Sequence, residues 1–132
     1  MKIAVPSTDD RGLESEVSSH FGRAPFYTIV TVYDGEIKEV EVIRNLFTEH
    51  SPGDLPNLLR ERGVDVILAH GIGRRARMFF SSMKIDVITG VQGRVKEVIK
   101  SYLEGTLSSD ESWMDLAEFK RRHRCSSRKE FS

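Results

Sequence analysis

Asp34-Gly35 stands between two runs of β-forming residues, and no other dipeptide restricts the fold of this chain so tightly. Phe-Tyr-Thr-Ile-Val-Thr-Val-Tyr precedes it at residues 26–33, and Ile37, Val40, Val42 and Ile43 follow. β-Branched and aromatic side chains suit a pleated, half-buried surface. Asp-Gly accepts the backbone angles of a tight two-residue turn, so the two runs are expected to form an antiparallel hairpin. The run Lys2-Ile3-Ala4-Val5-Pro6 comes before them and reads as a buried strand.

After the hairpin the apolar period changes. Ser51-Pro52-Gly53-Asp54 supplies a cap residue, a proline and an acid for the start of a helix. That helix carries Leu55, Leu58 and Leu59 on one face and stops at Gly63. Residues 64–69 form another buried run, followed by Ile72, Ala76, Phe79, Phe80 and Met83 at helical spacing, with Phe79 and Phe80 both expected in the core. Residues 85–89 read as a last strand, and Val95, Val98, Ile99, Tyr102 and Leu103 fit a last core helix ended by Gly105. Residues 7–19 and 44–53 read as loops.

The order is thus β-β-β-α-β-α-β-α. A strand meander followed by two βα units suits an α/β fold in three layers, with a five-stranded mixed sheet and helices on both faces. Right-handed crossovers place the fourth strand beside the first and the fifth outside it, giving the order 3-2-1-4-5, a ribonuclease-H-like arrangement. Strands one, three, four and five then end at one edge, where strand two begins. The loops carrying His20 and Arg23, His50, His70 to Arg75, and Gly90 to Gly93 all converge there, and such an edge is where open α/β sheets bind ligands.

Composition excludes several classes. The 132 residues give one domain with a modest core, or a smaller domain with a tail. Formal net charge is zero, so the chain as a whole has no bias toward nucleic acid or anionic membranes, and neither is an expected partner. No apolar run approaches the roughly 20 residues of a membrane span, and the first residues lack the apolar stretch of a signal peptide. A single cysteine, Cys125, excludes an internal disulfide and suits a reducing cytoplasm, the expected location. A protein-built cubane iron–sulfur cluster normally takes four cysteines, so this chain cannot assemble one alone. Two Asn and one Gln beside thirteen Arg hint at a thermophile.

Metal binding needs converging imidazole, thiolate or carboxylate groups, and His20, His50 and His70 meet that need if the topology holds. The plainer reading makes His20 a turn residue and His50 a solvated one. Gly71 and Gly73 precede a helix whose free amides favour anions, and Arg74, Arg75 and Arg77 add charge; the plainer reading is that these glycines only permit a tight turn. A nuclease of this fold would need several carboxylates, and the strand Ile3-Ala4-Val5 carries none. Cys125 lies in a basic stretch that holds six Lys or Arg between residues 120 and 129. It reads as an incidental thiol, with cluster capping the lesser reading, and the stretch as a solvated terminus, with contact to nucleic acid or an acidic partner the alternative. Ser112-Trp113-Met114-Asp115 resembles a capping box opening a short helix with Trp113, Leu116 and Phe119. That helix should dock on its own domain or on a second subunit.

Ser19-His20-Phe21-Gly22-Arg23-Ala24-Pro25 after Met1-Lys2-Ile3-Ala4-Val5-Pro6 resembles the dinitrogenase iron–molybdenum cofactor-binding family, whose members are similar to the NifX and NafY nitrogenase accessory proteins. Gly63-Val64-Asp65-Val66-Ile67, Gly71-Ile72-Gly73-Arg74-Arg75-Ala76 and Tyr102-Leu103-Glu104-Gly105 extend the likeness. The resemblance implies a domain over residues 1–107; residues 108–132 lie outside it, as the C-terminal helix and basic tail read above. It also implies the ribonuclease-H-like fold and a non-catalytic protein that binds or carries a preformed metal–sulfur cluster, iron–molybdenum cofactor or another iron–sulfur type. The cofactor-binding set would be His20, Phe21, Gly22, Arg23, Gly71, Ile72, Gly73 and Arg74. His20 is carried over as a metal ligand; His50 and His70 join it by topology alone. A client metalloprotein and a homodimer are the implied partners. A metal-free anion- or nucleotide-binding regulatory module and a structural or assembly protein remain the alternatives.

Overall fold

Both central residues of the Asp34-Gly35 turn adopt positive φ, 54° and 76°, which matches its twist to that of the strands it joins. A computed structural model of the chain describes residues 1–45, 54–105 and 107. Strand β1 (Lys2–Ser7) leads through a 3-10 turn (Gly12–Glu14) to the hairpin β2 (Phe26–Tyr33) and β3 (Glu36–Arg44). There follow α1 (Asp54–Glu61), β4 (Val66–Leu68), α2 (Arg74–Ser82), β5 (Asp86–Ile88) and α3 (Val95–Leu103). The sheet order is β3-β2-β1-β4-β5, as expected. β1, β4 and β5 run parallel, and β2 is antiparallel to both β1 and β3.

Alternation along the strands splits the core into two halves, one on each side of the sheet. Ala4, Tyr27, Ile29 and Ile67 face Leu55 and Leu59 of α1 and Phe80 of α2. Ile3, Val5, Val30, Val32, Val66 and Leu68 face Val95, Val98 and Ile99 of α3. Strands buried on both faces must be apolar almost throughout, which is why β1 and β4 read as unbroken runs. The result is three layers, with helices on both faces.

Some boundaries differ from the sequence reading. β4 is three residues long where six were expected, although Asp65 N–H donates to the Lys2 carbonyl and Ala69 N–H to that of Ile88. Pairing therefore runs on past the regular strand. α2 begins at Arg74, leaving Ile72 buried in the turn before it. Phe79 is the clear correction: it is 36% exposed, while Phe80 is fully buried. Successive helix positions are about 100° apart, so Phe80 joins Ala76 and Met83 on the core side and Phe79 does not. The capping sequence at Ser51, Pro52 and Gly53 and the appendage with Trp113, Leu116, Phe119 and Cys125 lie outside the described residues.

Candidate functional site

The loops after β1 and β4 meet at the edge where the parallel strands end. His20 and Gly71 form a parallel bridge, and Phe21 N–H donates to the Gly71 carbonyl at 2.9 Å. Two turns about fifty residues apart in sequence thus share one hydrogen-bonded seam, and His70 is the residue next to that seam. Beside them, the Gly90 N–H donates to the His70 carbonyl and the Val91 N–H to that of Ala69, both within 3.0 Å. The β5 loop is thereby tied to the β4 loop.

Local chemistry explains why residues 19–25 hold their shape. The Phe21 side chain is buried at 2% exposure, with its ring 5.4 Å from those of both Tyr27 and Phe80. The Tyr27 hydroxyl donates to the Phe21 carbonyl. The Asn45 side-chain amide donates to the carbonyls of Ala24 at 2.8 Å and Gly22 at 3.3 Å, and Asn45 N–H donates to the Pro25 carbonyl. Burial pushes the Tyr27 phenol well above its usual range, so it stays a proton donor. Tyr27 and Asn45 were absent from the sequence-based site. Asn45 is one of only two asparagines and stands where a β-run ends, which was the available signal.

Of the expected site residues, His20 is half-buried and Arg23 exposed at the edge; Phe21 and Ile72 are buried and anchor their turns. Gly73 is the N-cap of α2, with no side-chain cap on the first amides of the helix, and Arg74 and Arg75 are exposed just after it. His70 is half-buried, and its Nδ1 is shielded from solvent without a hydrogen bond to the described residues. An unsatisfied buried group of this kind costs about 1–3 kcal/mol. His50 lies outside the described residues, so the expected trio is placed only for His20 and His70. Among the described residues no three His, Cys, Asp or Glu side chains are placed to hold a lone metal ion.

Gly22 and Gly73 carry a further signal. Neither has a positive φ, and a Cβ built on either would meet nothing within 4 Å. Folding therefore does not demand glycine at these two places, and both border the open space of the edge. Residues 19–25, 69–75 and 89–93 together contain Arg23, Arg74 and Arg75 and no acid, in a chain of zero net charge. These three segments are cationic, while Asp9, Asp10, Glu14 and Glu16 lie earlier in the β1 loop, and the backbone is unobstructed at Gly22 and Gly73, features that suit an anion approaching closely there.

Fold and edge together define a small α/β domain. The chain belongs to the dinitrogenase iron–molybdenum cofactor family, whose model, described as "Dinitrogenase iron-molybdenum cofactor", matches residues 1–105. The uncharacterized protein MJ0580 of Methanocaldococcus jannaschii is 36% identical over 114 residues, which are 84% of this chain and 92% of that protein. The crystal structure of PH0822 is similar at a TM-score of 0.78 and 43% identity, covering 86% of this chain and 98% of that one. The NMR structure of TM1290 from Thermotoga has a TM-score of 0.68 at 30% identity, covering 82% and 91%. Among the described residues no helix is long and apolar enough to cross a membrane.

Proposed function

We propose that this protein binds and carries a preformed metal–sulfur cluster at the edge formed by residues 19–25 and 69–75, without turning over a substrate. The observation that carries the reading is the open, cationic ground around Gly22 and Gly73, where a ligand can reach the main chain. Family membership supports iron–molybdenum cofactor or a related cluster as the cargo. A preformed cluster brings its own sulfide ligands, so it asks the protein for a few capping groups in place of a full metal cage. His20 and His70 are the candidates, and a metal or an acceptor at the cargo would satisfy the orphaned Nδ1 of His70. Arg23, Arg74 and the uncapped amides of α2 would offset the negative charge of the cluster.

His50 belongs to the proposal by topology, as does a client metalloprotein that receives the cargo. Residues 1–107 would form the carrying domain. Anaerobic titration with extracted iron–molybdenum cofactor, read by visible absorbance and metal content, tests the reading. Wild type is expected to take up cluster stoichiometrically, with His20→Ala and His70→Ala each weakening uptake at least about tenfold, the loss of one charge-assisted or ligand contact. Equal uptake by all three proteins would remove both histidines from the site. Uptake of simple oxyanions but no cluster would instead favour a metal-free anion-binding module, for which the uncapped helix start is the supporting feature.

A further inference from the structure

The two faces of the sheet are covered unequally. Helices α1 and α2 lie on one face, while α3 and the short 3-10 turn are the described elements on the other. On that second face, apolar side chains stand only partly covered, with Gly12 of the 3-10 turn close to Val40 and Ile37 packed against the α3-side core. Val40 is paired directly with Val30, whose side chain is in the α3-side core, and directly opposed residues share a face. Val40 is nevertheless 42% exposed. Met1 exchanges backbone hydrogen bonds with Val32, which pairs in turn with Ile37, so Met1, Val32 and Ile37 form a row across three strands. Met1 is 51% exposed at the end of that row.

The chain leaves the described structure on the same side, where Leu107 rests against the α3-side core. Trp113 follows six residues later, then Leu116 and Phe119 at a spacing of three. An extended chain covers about 3.5 Å per residue, so Trp113 can lie up to about 20 Å from Leu107. Neighbouring strands are about 4.8 Å apart, which puts Val40 and the row from Met1 to Ile37 well within reach. Natural proteins also commonly cover an exposed edge strand with a helix or loop, and β3 is the nine-residue edge of this sheet.

We propose that the segment beyond Leu107 folds back on its own domain, with Trp113, Leu116 and Phe119 covering Met1, Ile37 and Val40 beside α3. The other uncovered apolar pair, Met78 and Phe79 on α2, faces the opposite side of the sheet. A segment departing from Leu107 would have to pass around the sheet to reach it. The occupant is therefore this chain's own C-terminal segment.

Trp113 is the sole tryptophan, so the fluorescence of the full chain reads the contact directly. Emission is expected to be blue-shifted from that of the urea-unfolded protein, shielded from acrylamide and unchanged on dilution. Val40→Asp should shift it to the red, and Phe79→Ser should leave it in place. Circular dichroism of Val40→Asp shows whether the sheet is intact, and acrylamide quenching of the wild type needs no variant at all. Wild-type emission and quenching equal to those of the unfolded chain would overturn the proposal. So would a shift with Phe79→Ser alone, which places the segment on α2, or a red shift on dilution, which places it on a second copy.

Discussion

The two turns that meet at the edge are held by different means. Residues 19–25 are moored by side chains: the Phe21 ring between Tyr27 and Phe80, the Tyr27 hydroxyl on the Phe21 carbonyl, and the Asn45 amide on two more carbonyls. Residues 69–73 are moored chiefly by main chain, through hydrogen bonds to Phe21, Gly90 and Val91, with Ala69 and Ile72 as buried anchors. A turn moored by side chains has a shape that single substitutions can destroy. One moored by main chain tolerates substitution of the residues facing solvent. The pairing yields a wall fixed by packed side chains on one side of the edge and, on the other, a turn whose exposed residues the fold does not require.

The largest effect should come from Phe21→Ala. A fully buried aromatic removed from such a site costs about 3–5 kcal/mol, cavity included, and here the loss falls on both turns because Phe80 belongs to the helix that follows the second. Thermal or urea unfolding measures it. A loss under about 1 kcal/mol would mean that the first turn is held by main chain like the second, and the contrast would fail.

Tyr27→Phe is the next step down. It keeps the ring and removes the hydroxyl, leaving the Phe21 carbonyl without that donor, for an expected cost of about 1–3 kcal/mol. It also carries a pH signature. The folded protein keeps the phenol protonated where the unfolded chain, with its ordinary value of 10.0, has begun to ionise it. The contribution of Tyr27 is therefore complete below pH 10 and declines as pH rises above it. Melting temperature of the wild type should fall more steeply across that range than that of Tyr27→Phe. Parallel curves would show that the hydroxyl is not secluded as described.

Much of this was legible in the chain, for reasons that the two turns make plain. Asp34-Gly35 and the apolar runs encode local geometry, and parallel-strand handedness converts their order into one sheet with His20 and His70 at one edge. The place of Asn45 gave a signal but its tethering role did not show, because its partners lie 21 and 23 residues upstream and only the register of β2 with β3 brings them near. Phe79 and Phe80 could not be separated by an apolar count, since the 100° between them is settled by how α2 lies on the sheet. Gly73 shows the opposite lesson. Its sequence context reads as a glycine required by a tight turn, yet its φ of −66° is open to any residue.

That last point leads to the smallest expected change in stability and the sharpest test of the second turn. Gly73 is an N-cap with φ −66° and ψ 155°, a conformation in which serine caps a helix through its hydroxyl. Open space surrounds the position where a Cβ would sit. Gly73→Ser should therefore be neutral or raise stability by about 0.3 kcal/mol, the usual advantage of serine over glycine at a cap. The same hydroxyl would occupy the first amides of α2 and narrow the approach to the main chain, so cluster uptake should weaken. Stability rising while binding falls would mark the position as one where the sequence favours the ligand over the helix. If uptake by Gly73→Ser matched the wild type, the open ground at Gly73 would not be where the cargo rests, and the second turn would be a connector. If stability fell instead, the main-chain mooring of that turn would depend on glycine after all, and the contrast between the two turns would be lost.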